Sequence, residues 1–150
     1  MESTTGKPIH VFEVEVLSDG MNVAKSASQS STLKRFEASR AIDGKPFSFS
    51  HTSDANAWLE IDLEGLYPIN SVEIANRWCK DASDPRGCLC RLSDAKVSLI
   101  DENGNEVASQ SIGDACQKAN ISIEIEPISC SPPPTPVSDV GFDICIPLTI

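Results

Sequence analysis

Residues 10–16 read HVFEVEV, with Phe12, Val14 and Val16 alternating against Glu13 and Glu15. A period of two is what a strand needs when one face meets a core and the other meets water. The pattern returns in residues 57–63 (AWLEIDL) and 121–126 (ISIEIE). Val72, Glu73 and Ile74 follow the turn-like Tyr67-Pro68-Ile69-Asn70. Residues 95–100 and 106–111 flank a loop whose Asn103-Gly104 pair suits the positive φ angles of a tight hairpin. No long helical period is present, and residues 38–42 suffice for one turn. Many short strands separated by Gly, Pro, Asn and Asp predict an all-β, antiparallel sandwich or jelly roll.

The 150 residues favour one main domain with a real core. Asp and Glu outnumber Lys and Arg by 22 to 12, for a net charge of −10. Nucleic-acid backbones and anionic membranes need a basic surface, so neither is an expected partner. No apolar run is long enough to span a bilayer, so no membrane insertion is expected. The N-terminal MESTTGKPIH is polar and is no signal peptide. Six cysteines (Cys79, Cys88, Cys90, Cys116, Cys130 and Cys145) nevertheless favour an oxidising compartment and up to three disulfides. The expectation is a secreted or cell-surface protein whose export signal lies outside this chain. Asn120-Ile121-Ser122 is a glycosylation sequon.

Residues 76–92, NRWCKDASDPRGCLCRL, concentrate cysteines and arginines around a loop-forming centre. Zinc prefers two closely spaced ligand pairs, and only Cys88-Leu89-Cys90 is close, so disulfides are the better reading. The most economical pairing joins Cys79, Cys88, Cys90 and Cys116 among themselves and leaves Cys130 for Cys145, or for bonds outside the chain. Asp84-Pro85-Arg86-Gly87 reads as a turn. The only histidines are His10 and His51, and no nucleophile elbow, metalloprotease helix or phosphate loop is present, so no enzyme is expected. Arginine donors, a histidine and an apolar side chain such as Trp78 do match a sugar, which shows adjacent hydroxyls on one side and an apolar patch on another.

Several ordered segments carry a family resemblance. They are Asn22-Val23-Ala24, residues 27–31 (ASQSS), residues 38–44 (ASRAIDG), Trp58 to Leu63, and residues 69–74 (INSVEI). Together they resemble the coagulation factor 5/8 type C, or discoidin-like, domains. Ile74-Ala75-Asn76-Arg77, followed by cysteines and Arg91-Leu92, is most similar to the fucose-binding F-type lectins within that group. The resemblance covers residues 9–127 and implies an eight-stranded antiparallel jelly-roll β-sandwich of the galactose-binding-domain-like kind. It also implies a sugar site built from a His and two Arg, which fall here on His51, Arg77 and Arg91, with Trp78 or a disulfide as apolar contact. The partners implied are cell-surface or extracellular glycans, with fucose as the family's sugar. Three features depart from the family. Trp78-Cys79 stands where an acidic residue follows the first Arg, with Asp81 only further on; Asp84-Pro85-Arg86-Gly87 is inserted; and the loop cysteines are not adjacent.

The family also carries a structural calcium ion. Asp43 and Ser48 match its side-chain ligands, and Arg40 and Lys45 its carbonyl donors. Calcium takes six to eight oxygens, which such mixed loops supply. The family's Glu lies on a last strand resembling FEVEV, and here that pattern stands at residues 12–16. Glu13 is then the expected ligand, with residues 9–17 either filling the last-strand slot as a circular permutation or ending a preceding repeat. The domain expected is 9–128, followed by a Pro-rich linker at 129–137 and a strand-like tail at 138–150. The competing reading is a protein-interaction or structural module that kept the sandwich without the sugar site.

Overall fold

The computed structural model describes residues 1–79, 85–125 and 148–149. Asp81, the Pro-rich stretch 129–137, Cys130, Cys145 and the tail before Leu148 lie outside the described residues. In chain order the strands are β1 (His10–Ser18), β2 (Met21–Asn22), β3 (Ser26–Gln29), β4 (Ser50–His51), β5 (Leu59–Asp62) and β6 (Ser71–Asn76). They continue as β7 (Lys96–Asp101), β8 (Glu106–Ser111), β9 (Asn120–Glu124) and β10 (Leu148–Thr149). All pairings are antiparallel.

One sheet runs β2-β1-β6-β9, with β4 also paired to the start of β1. Opposite it stand β3-β5 and β10-β7-β8. Residues at the N-terminus join these two, since Glu2 bridges both Trp58 and Lys96, with Glu2 N–H on the Lys96 carbonyl at 2.8 Å. The expected alternation is realised cleanly in β5, where Leu59 and Ile61 are buried and Glu60 and Asp62 exposed. In β9 Ile121 and Ile123 turn inward. These side chains join Val14, Val16, Leu63, Val72, Ile74, Leu92, Val97 and Leu99 in one core. Each such burial is worth roughly 1.5–3 kcal/mol.

β1 departs from strict alternation. Its register against β6 runs Val11 to Asn76 and then Glu13 to Ala75, so Phe12 is an extra residue in a bulge. A bulge re-aims the side chains on either side of it. Around it His10 and Val11 are both buried, while Phe12 and Glu13 are half-buried.

Two turns differ from the sequence reading. In the β7–β8 hairpin only Gly104 has positive φ, at 81°, and Asn103 does not share it. The loop is a turn closed by Gly104 N–H on the Asp101 carbonyl at 2.9 Å. The Asp101 carboxylate accepts from the Asn103 and Asn105 N–H groups, which removes the need for a second left-handed residue. The two-residue turn with both φ positive is instead Asp19-Gly20 (48° and 76°), which joins β1 to β2. Of residues 84–87, expected as a turn, Asp84 lies outside the described residues and 85–87 belong to a helical turn, α1 (Pro85–Leu89). A 3-10 turn at Cys90–Leu92 continues it. Proline suits a first helical position because its missing N–H would find no partner there.

Candidate functional site

The stretch after β6 is pinned at several points. Buried Asn76 donates from Nδ2 to the carbonyls of Leu89 (3.1 Å) and Lys118 (3.0 Å), which fixes the base of the cysteine loop. Disulfides join Cys79 to Cys88 and Cys90 to Cys116. Cys79, Cys88, Cys90 and Cys116 thus pair among themselves, and the close pair Cys88 and Cys90 is not bonded together. Ser93 Oγ accepts from the Ala115 N–H at 3.1 Å, adding a polar tie beside the second bridge.

These constraints bring Arg77, Arg91 and His51 together from the residue after β6, the 3-10 turn and β4. Arg91 Nη1 lies 3.2 Å from His51 Nε2. Arg77 lies over the Phe49 ring, 3.8 Å from its centroid, and Phe49 in turn stacks on Phe36 at 4.2 Å. Such a cation–π contact is worth about 0.5–2 kcal/mol. Trp78 is 37% exposed and meets Phe12 edge-on at 6.2 Å, which sets it at the rim of the same cluster.

A residue absent from the sequence-based site completes it. His10 is fully buried in β1, directly opposite His51 in the β1–β4 pairing, with the two rings 5.0 Å apart. Its Nε2 lies 2.9 Å from the Cys88 carbonyl and its Nδ1 2.9 Å from Arg77 Nη1. A carbonyl only accepts and a guanidinium only donates, so His10 is neutral with its proton on Nε2. The same logic puts the His51 proton on Nδ1, where it meets the Thr52 carbonyl, and leaves Nε2 to accept from Arg91. Burial, helped by Arg77, the second histidine and Arg91, pushes the His10 pKa down to about 3. Burial and the nearby Arg91 and Arg77 also hold His51 below the usual histidine value. Burial and Arg91 lower Arg77 as well. The only sequence signal for His10 was a polar residue in phase with the apolar Phe12, Val14 and Val16.

The residues expected to hold calcium stand in a neighbouring turn. Both Glu13 carboxylate oxygens lie 3.2 Å from the Gly44 N–H. Asp43 accepts from the Lys45 N–H at 3.0 Å and from Ser48 Oγ at 2.8 Å. The Lys45 carbonyl accepts from the Ser48 N–H, and the exposed Lys45 ammonium lies 3.9 Å from Asp43. Arg40 sits in the 3-10 turn Ala38–Ala41 just before. Desolvation, with the charges of Asp43 and Glu15, raises the Glu13 pKa. Among the described residues no group of three or more His, Cys, Asp or Glu side chains is arranged around a metal position. Phe47, 73% exposed and held at φ 64°, projects from this turn and meets Phe12 at 6.3 Å, so the aromatic cluster links the two sites. Asn120 of the sequon is exposed at the start of β9, while Ser122 Oγ donates to Glu73 at 2.7 Å.

Residues 40–131 match the F5/8 type C family model described as a NedA-like, galactose-binding domain. The chain belongs to the F5/8 type C family. A fucose binding module from Streptococcus pneumoniae is 32% identical with a TM-score of 0.60, over 74% of this chain and 80% of that one. The lectin domain of lectinolysin complexed with Lewis B antigen is 33% identical with a TM-score of 0.60, over 69% and 74%. A histidine mutant of the lectin binding domain of lectinolysin, complexed with Lewis b, is 32% identical with a TM-score of 0.64, over 74% and 80%. No curated protein sequence matches the chain. As an F5/8 type C domain the chain has the antiparallel β-sandwich its sequence predicted, although the strand at residues 10–18 lies outside the matched family segment.

Proposed function

We propose that this F5/8 type C domain is a non-catalytic, extracellular lectin module that binds a neutral, fucose-bearing glycan. The observation that carries this reading is the meeting of Arg77, Arg91 and His51 beside an exposed tryptophan. Support also comes from relatives that are fucose-binding modules or carry Lewis b. Disulfides agree with an oxidising compartment.

Each guanidinium carries five N–H groups in a planar fork. Among the described residues Arg77 spends Nη1 on His10 and Cys79, and Arg91 spends Nη1 on His51, and the other N–H groups of the two forks would donate to ring and hydroxyl oxygens. A third hydroxyl would donate to His51 Nε2, sharing that lone pair with Arg91. Trp78 and the Cys79–Cys88 bridge supply the apolar contact. With few hydrogen bonds and little buried area, affinity for one site is ~0.1–1 mM. Repetition in a longer chain would raise it by avidity.

A structural calcium ion belongs to the same reading. Glu13 and Asp43 bring two carboxylates to one turn, and their mutual repulsion is a charge imbalance that a hard cation relieves. Glu13, Asp43, Ser48 and the carbonyls of Arg40 and Lys45 would hold the ion, which would brace the turn bearing Phe47 and Phe49.

The deciding experiment is a glycan array with calcium present, probed with wild type and Arg77→Ala. Wild type is expected to mark fucosylated glycans and the variant to lose the signal. Silence of the wild type across the array would overturn the lectin reading in favour of a protein-interaction module.

A further inference from the structure

We infer that His10 is the positioning residue for Arg77, its bare Nδ1 holding the guanidinium in the orientation from which it meets a ligand. The first argument is burial. His10 is wholly enclosed, and a buried polar ring is tolerated only when both nitrogens are satisfied. Both are, on opposite sides of the ring: Nε2 on the Cys88 carbonyl and Nδ1 on Arg77 Nη1. Filling the core alone would need no nitrogen, and the neighbouring core positions of the same strand are all valine.

The second argument is direction. Among the described residues three groups touch the Arg77 guanidinium: His10 Nδ1 at 2.9 Å, Cys79 Sγ at 3.2 Å and the Phe49 face at 3.8 Å. Sulfur is a weak acceptor, and an aromatic face lets the cation slide. The imidazole lone pair is the one sharply directional contact of the three. An unheld arginine must give up much of its rotamer freedom when a ligand arrives, and a side chain ordered beforehand has already done so.

The third argument is connectivity. Cys88, whose carbonyl takes the Nε2 proton, is bonded through sulfur to Cys79, two residues beyond Arg77. One ring therefore grips both arms of the disulfide loop and orients the arginine at its root. The bulge at Phe12 shifts the alternation by one, so that Val11 rather than His10 shares the face of Val14 and Val16, and His10 is left on the face where it meets Arg77 and Cys88.

The role extends the lectin reading and rests on it only for the ligand. The test uses two amide variants that share the loss of ring packing. His10→Asn keeps an acceptor oxygen near the place of Nδ1, whereas His10→Gln keeps an N–H near the place of Nε2. The first readout needs no ligand: 15N NMR of the Arg77 guanidinium. Separate, slowly exchanging Nη signals are expected in wild type and His10→Asn, and averaged signals in His10→Gln. The second readout is titration with Lewis b oligosaccharide. Affinity is expected to fall on the order of tenfold in His10→Gln and to be largely rescued in His10→Asn. If Arg77 signals stay separate in both variants, His10 does not position it; if they average in both, ring packing rather than the Nδ1 acceptor orders it; either result overturns the inference. If the signals respond as expected but wild type ignores Lewis b, His10 still orders Arg77, and the glycan reading fails instead.

Discussion

Arg91 donates from Nη1 to His51 Nε2 across 3.2 Å, while the other nitrogen of the ring is bound to the Thr52 carbonyl. His51 therefore has no N–H to offer, and a sugar hydroxyl can meet it only as a donor. Arg91→Ala frees the His51 lone pair but removes a charged donor. We expect glycan affinity to fall by about ten- to a hundredfold, as loss of a charge-assisted hydrogen bond implies. Arg91→Lys should recover little, because a point-like ammonium cannot reproduce the planar fork. Calorimetric titration with a fucosylated oligosaccharide checks both, and full affinity in Arg91→Ala would remove Arg91 from the site.

Acid should weaken the fold through the two histidines. Both are neutral in the native state, with His10 near pKa 3 and His51 lowered, whereas the unfolded chain titrates near 6.5. Their contribution is complete above pH 6.5. Below it the unfolded state takes up protons that the native state refuses, and stability declines by about 1.4 kcal/mol per pH unit for each such group. For His10 the decline continues to about pH 3. Urea titrations from pH 7 to pH 4 should show the midpoint falling in wild type and falling less in His10→Asn. Equal slopes in the two proteins would remove His10 as a source of the acid sensitivity.

The two disulfides should differ in weight. Cys90–Cys116 spans a sequence separation of 26 and Cys79–Cys88 one of 9. On chain entropy alone the longer closure stabilises by roughly 0.9 kcal/mol more. Replacing Cys90 and Cys116 by serine should lower the melting temperature further than replacing Cys79 and Cys88. The shorter bridge should matter more for binding, since it holds the loop beside Arg77. Melting curves and glycan titrations of the two double variants separate these effects.

Calcium, if bound as proposed, should raise the melting temperature and do so more at neutral than at acid pH. The Glu13 pKa is raised, so near and below the usual carboxylate range this side chain holds a proton that a cation must displace. Glu13→Gln should abolish most of the calcium-dependent shift while stabilising the metal-free protein, because it removes the repulsion with Asp43. An identical shift in wild type and Glu13→Gln would exclude Glu13 as a ligand.

The sandwich was largely legible because alternation is local. Residues 59–62 and 120–124 show their inward and outward faces in the sequence itself, and both behave accordingly. The hairpin turns were less legible. Asn103-Gly104 and Asp19-Gly20 are both good candidates for positive φ, yet only the second uses it at both residues. The difference lies in Asp101, whose carboxylate takes over the loop N–H groups. The helical turn at Pro85–Leu89 was hidden for a related reason: five residues are too few to show a helical period, and covalent bridges rather than propensity enclose it.

By itself the sequence determined the all-β class, the antiparallel pairing and the residue types of the candidate site, because strand period, turn chemistry and motif order are written along the chain. It also named His51, Arg77 and Arg91 through their family resemblance. Only the tertiary structure decided which nitrogens face which partners, that His10 joins them, and that Phe49 lies beneath Arg77. Those relations cross as many as 78 positions of sequence, from His10 to Cys88. They depend on one extra residue in β1, which puts Val11 rather than His10 on the face of Val14 and Val16. Such a bulge follows from the pairing of β1 with β6 and leaves no mark in either strand read alone.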